Sequence, residues 1–195
     1  MIAKEWLGGV AVVIGFAGYG PYFLSVWRGA TKPHAFSWIV WSLLSLIAFF
    51  AQASRGAGPG AWTTGANALF CFTVAMCGVF YGEREITRGD WLSFLAALAA
   101  LPLWYVTADP LWAVIWITAI DMSAFYPTVR KSWLKPHEEN LSPYIGDATA
   151  FALAFCVLGH YSLVTVMTPL FVVTANGAFV GMSLWRRRVV GETHS

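Results

Sequence analysis

The chain has 195 residues, 58% of them hydrophobic and only 11% charged, with a formal net charge of +2. Soluble domains carry roughly 45–50% apolar and about 25% charged residues, and here the charges cluster between long apolar stretches, so the composition excludes an ordinary soluble globule and indicates a polytopic membrane protein. At about 20 residues per span the length admits about seven helices with no attached soluble domain, and the small net charge gives no reason to expect nucleic acid as a partner.

The first apolar run, 6–27, carries Gly8, Gly9, Gly15 and Gly18 and is followed by no small-residue cleavage site, which predicts a retained span and not a signal peptide. It closes on Gly20-Pro21-Tyr22-Phe23-Leu24-Ser25-Val26-Trp27-Arg28 and opens a basic loop with Lys32-Pro33-His34. Apolar runs over 36–53, 62–81, 91–106, 111–129, 141–159 and 162–185 follow, each bounded by Gly, Pro or charge and each predicted as a helix. The fifth run closes on Tyr126-Pro127-Thr128-Val129-Arg130-Lys131-Ser132-Trp133 and opens Lys135-Pro136-His137, so the end of run one and its loop are written a second time. Cys71, Cys77 and Cys156 fall inside predicted spans without Cys-x-x-Cys spacing, which argues for small buried apolar residues and against a disulfide frame or zinc site. His34, His137 and His160 fall in loops and turns, too scattered to hold a metal from one helix.

With seven spans, one side collects Arg28, Lys32, Arg84, Arg88, Arg130, Lys131, Lys135 and Arg186–Arg188, while the other keeps Lys4 and Arg55. That asymmetry predicts the N-terminus outside and both repeated loops and the C-terminus in the cytoplasm, with the plasma (inner) membrane as the expected location. The repeat reaches further than the loops: run three carries Gly65-Ala66-Asn67-Ala68-Leu69-Phe70 and run seven Thr174-Ala175-Asn176-Gly177-Ala178-Phe179. Two copies of three helices lie parallel only if one extra helix intervenes, and the fourth run supplies it. The expected fold is therefore all-α and integral to the membrane, seven transmembrane helices as 3+1+3 parallel three-helix repeats: 1–82, a linker helix within 83–108, 109–188, and a tail of 189–195.

The Pro-Tyr and Pro-Thr steps, the basic Trp-containing loops, Ser37 and Ser142 opening the next helices, and the mid-helix asparagine pair resemble the SWEET and PQ-loop superfamily over nearly the whole chain. Neither copy keeps the Pro-Gln dipeptide; Pro21-Tyr22 and Pro127-Thr128 stand in its place, so the likeness is to a divergent branch. The resemblance implies two three-helix lobes rocking about a midplane pocket, and a function among sugar carriers, proton-coupled amino-acid exporters and a sorting receptor.

Proline removes a backbone hydrogen bond and can bend a helix, so Pro21, Pro127 and Pro143 are candidate hinges, a role the resemblance also implies; the alternative is that Pro21 and Pro127 only end helices at the interface. Asn67 and Asn176 each place an amide in mid-membrane, where an unpaired polar group is costly and a paired one suits solute hydroxyls or a head group. The resemblance implies a pocket role; interhelical glue is the alternative. Trp38 and Trp41 share a face of the second helix and, with Tyr144 on the sixth, offer aromatic walls. Tryptophans at span ends, such as Trp6, Trp27 and Trp185, read as interfacial anchors, and Trp116 lies deeper. Asp121 and Asp147 lie inside predicted spans that carry no deep Lys or Arg, which makes them proton or cation sites by default, with Asp147 nearer the level of Trp41 and Asp121 equally suited to a structural bond with Ser123 or Thr118. Ile145-Gly146-Asp147 only faintly matches the Gly-x-Gly-Asp of intramembrane aspartyl proteases, the last helix has no Lys for a retinal, and no phosphate loop occurs, so neither an enzyme, a cofactor nor a metal is expected. The sequence points to a carrier of a small polar solute (sugar, amino acid or similar metabolite) by alternating access, with proton coupling open. The alternative is a non-transporting seven-helix receptor or sensor using the same cavity. The expected partners are the small-molecule substrate and the lipid bilayer, with no oligomer required for a complete pathway.

Overall fold

The structure is a computed structural model that describes residues 2–28, 35–81, 88–134, 136–137 and 140–192. Lys32, Pro33, His34, Arg84 and Lys135 lie outside the described residues, as do the side chains of Ser37, Pro127, Arg130 and Lys131. The described chain is all-helical: α1 (Ile2–Trp27), α2 (Ala35–Ser54), a 3-10 turn (Gly58–Ala61), α3 (Trp62–Tyr81), α4 (Arg88–Thr107), α5 (Pro110–Leu134), α6 (Ser142–Cys156) and α7 (Leu163–Glu192).

Among the described residues three stretches are long and apolar enough to cross a membrane, Ala3–Trp27, Gly58–Phe80 and Leu163–Val190, and shorter apolar helical stretches cover Trp38–Ser54 and Pro110–Met122. The α6 helix has 15 residues and is roughly 22 Å long at 1.5 Å per residue, short of the 30 Å of a hydrocarbon core. Large apolar side chains face outward along the bundle, among them Val13, Phe16, Leu69, Phe72, Leu170 and Leu184. Such an outer surface would aggregate in water and suits lipid.

Lipid supplies no hydrophobic drive between helices, so tight association needs small residues that let backbones approach. The glycines meet that need. A Cβ on Gly18 of α1 would stand 2.7 Å from the Gly146 Cα of α6, one on Gly78 of α3 would meet Ala35 of α2 at 2.9 Å, and one on Gly65 would press on the Phe49 ring. Between α2 and α5, Val40, Leu44, Ile47 and Ala48 pack on Ala113 and Ile117. The α3 helix packs against α1 and α2, and α7 against α5 and α6; α1 also lies along α6, and α2 along α5, while α4 packs on α5 and α2.

Pro21 does not end α1, which continues through it to Trp27, and α5 likewise extends past position 127 to Leu134. Pro143 sits in the first turn of α6, where its missing N–H would lack a helical partner in any case, so it starts that helix and does not kink its interior. Cys71 is buried as expected, but Cys156 is exposed. Trp116 is not among the cavity-lining residues: it is 42% exposed and its Nε1 donates to the Ala96 carbonyl of α4.

At one end of the bundle the turn after α2 closes against the turn after α6. Gly56 and Gly58 take φ values of +72° and +58°, which only glycine adopts freely, and the resulting turn brings the Ala57 carbonyl to accept from the Gly159 N–H at 2.8 Å. A Cβ on Gly60 would collide with Leu158 Cδ2 at 2.5 Å, and Lys4 Nζ donates to the Leu158 carbonyl at 2.9 Å.

Candidate functional site

At the other end, the helices part around a cavity of about 390 Å³. Its walls come from α1, α2, α3, α5, α6 and α7, and it reaches Asn140, an exposed residue before α6. On α2 the lining residues Trp38, Trp41, Ser45 and Ala48 recur at helical spacing, one stripe facing inward.

Of the residues singled out from the sequence, the cavity brings together Asn67, Asn176, Trp38, Trp41, Tyr144, Asp121, Asp147 and Pro143. Pro21 is not among its lining residues, and the side chain at 127 is not described. Trp38 and Trp41 meet edge to face, with centroids 5.1 Å apart. Tyr144 lies on Phe179 of α7 at 4.5 Å and is edge-on to Phe125 of α5.

The organising group is Tyr19 of α1, which the sequence reading passed over. Its hydroxyl stands 2.9 Å from Asp147 Oδ2 and 3.2 Å from Asn67 Oδ1, while Asn67 Nδ2 donates to Ser45 Oγ at 3.0 Å. Local packing places it. Gly18 and Gly146 touch backbone to backbone, Ser142 Oγ donates to the Gly18 carbonyl at 2.7 Å, and the next residue on each helix, Tyr19 and Asp147, is thereby brought into register. The signal was present as two small-then-polar steps, Gly18-Tyr19 and Gly146-Asp147, on helices whose contact no local rule predicts.

Tyr19 has one hydroxyl hydrogen and faces two acceptors. An ionised Asp147 takes that hydrogen and leaves Asn67 Oδ1 without a donor, whereas a protonated Asp147 donates to the Tyr19 oxygen and frees the tyrosine to donate to Asn67. The protonation state of the acid is thus transmitted to the amide through one shared group.

The other half of the cavity is not organised in this way. Asp121 of α5 and Asn176 of α7 have no hydrogen-bond partner among the described residues, although both line the cavity and Asn176 is only 7% exposed. The Thr118 hydroxyl, one of the alternative partners the sequence offered for Asp121, donates to the Val114 carbonyl one turn back. Thr168 also lines the cavity, and its Oγ1 is buried and unpaired among the described residues. Among the described residues no three His, Cys, Asp or Glu side chains converge as a metal site would require. No family model matches the chain, no curated protein matches it, and no solved structure matches it.

Proposed function

We propose that the chain is a membrane carrier of SWEET/PQ-loop architecture, moving a small polar solute by alternating access between two three-helix lobes of a 3+1+3 seven-span bundle. The observation that carries this reading is a cavity closed by backbone contact at one end, in which the asparagines of both sequence repeats and an acid meet. A one-ended cavity among helices is the form an inward-facing carrier takes, and the glycine-lined seam between the turns after α2 and α6 is the part that must separate for the opposite face to open. The packing of α3 between α1 and α2, and of α7 between α5 and α6, supports the two-lobe layout. The Lys and Arg asymmetry supports placing the cavity mouth on the cytoplasmic side. Asp147, joined to Tyr19, is the proton site in this reading.

Flux into proteoliposomes tests the reading directly. Solute that binds should also cross, and Asp147→Asn should remove the pH dependence of net flux while leaving solute exchange in part. Binding without any flux would make the chain a receptor with the same cavity. Cysteine labels near Lys32 and Lys135 should react from the cytoplasmic side and a label near Arg55 from outside; the two basic loops on opposite faces would overturn the parallel-repeat layout.

A further inference from the structure

We propose that the solute is an organic cation, a protonated amine on an aromatic or apolar body without a carboxylate of its own, anchored by Asp121 and Asn176. This rests on the reading of the cavity as the carrier's binding site and narrows it to a chemical class.

Charge supplies the first reason. Asp121 and Asp147 both line the cavity, and among the described residues no Lys, Arg or His does. A carboxylate, phosphate or zwitterion would bring negative charge against two acids with no counter-charge to receive it, and in a low-dielectric cavity that juxtaposition costs several kcal/mol. A neutral sugar would bring no counter-charge to an ionised acid.

The unfilled hydrogen-bonding capacity supplies the second. The Asp121 carboxylate, the Asn176 amide and the Thr168 hydroxyl lack partners among the described residues, and Asn176 is buried while facing the cavity. The two Asp121 carboxylate oxygens and the Asn176 amide oxygen are three acceptor atoms, and an ammonium group is a compact three-fold donor. In contrast, Asp147 is engaged by Tyr19.

The walls supply the third. Tyr22, Trp38, Trp41, Phe125, Tyr144 and Phe171 line the same space, and the negative faces of such rings attract a cation within about 6 Å of their centroids. Acids, free acceptors and rings in one cavity share a single complement, which is an organic monocation.

Intrinsic tryptophan fluorescence and calorimetry on the full chain in detergent read the test, since Trp38 and Trp41 lie in the wall. Phenethylammonium should bind about tenfold or more tightly than its neutral counterpart 2-phenylethanol, and phenylacetate and glucose should bind more weakly than either. Asp121→Asn should reduce the amine to the level of the alcohol, and Asp121→Glu should keep the preference. Equal binding of amine and alcohol, binding of glucose in preference to the amine, or a preference that survives Asp121→Asn would overturn the proposal. The wild-type ranking decides alone if the Asn variant does not fold. Amine selectivity without flux would sink the carrier reading and keep the cation class; flux of a neutral solute by a protein indifferent to the amine would do the reverse.

Discussion

Asn67 of α3 and Asn176 of α7 have nearly the same sequence neighbourhood, Ala-Asn-Ala and Ala-Asn-Gly, and both line one cavity. Yet Asn67 is held between Tyr19 and Ser45, whereas Asn176 has no partner among the described residues. A repeated residue need not keep a repeated role. The difference comes from the other helices: α1 presents Tyr19 to the first amide through the close Gly18–Gly146 contact, and the described residues offer nothing equivalent to the second. One half of the cavity is therefore scaffold, with Asp147, Tyr19, Asn67 and Ser45 joined to one another before any solute arrives, and the other half holds acceptors free for a ligand.

The strongest challenge to this division is Tyr19→Phe. It keeps the ring that stacks on Phe70 at 5.1 Å but removes the hydroxyl shared by Asp147 and Asn67. Because a hydrogen bond to an acidic group is lost inside the bundle, unfolding in detergent should become easier by about 1.5–3 kcal/mol. An unchanged melting curve would mean that the engaged half is not scaffold at all.

A paired measurement on the two amides sharpens the contrast. Asn67→Ala should lower stability by about 1–3 kcal/mol, since Tyr19 and Ser45 both lose a partner. Asn176→Ala should leave stability within about 0.5 kcal/mol and instead weaken binding of phenethylammonium by about 1–3 kcal/mol. The opposite assignment, with Asn176 needed for folding and Asn67 for binding, would reverse the picture, and equal effects in both would erase it.

Ser45→Ala should have the smallest effect, about 0.5–1.5 kcal/mol of stability, because it removes one acceptor from Asn67 and leaves the Tyr19 contact in place. Thermal unfolding of Ser45→Ala and Asn67→Ala, alone and together, gives the coupling between them. A double variant that loses the full sum of the two single losses would show that the two side chains act independently.

Much of the helical organisation was legible in the sequence, because apolar run length and its punctuation by Gly, Pro and charge are local properties. The helices over 35–54 and 62–81 lie close to the predicted runs. The end of α1 at Trp27 likewise falls where its run was predicted to close, whereas an end set by longer-range contacts was less legible: α7 continues past the expected end to Glu192, where Arg186 donates to the Trp133 carbonyl and Arg187 to the Pro136 carbonyl.

Residue chemistry likewise marked most of the cavity. Amides and acids are too costly in an apolar span to occur there without a partner or a purpose, so Asn67, Asn176, Asp121 and Asp147 stood out at once. Tyr19 did not, since a tyrosine in an apolar helix is unremarkable until something polar is seen at its hydroxyl. Only the tertiary structure decided which polar groups are already satisfied. That distinction depends on α1 meeting α6 at Gly18 and Gly146, residues 128 positions apart (146 − 18), and a contact between distant backbones is set by the packing of the whole bundle and not by the residues on either side.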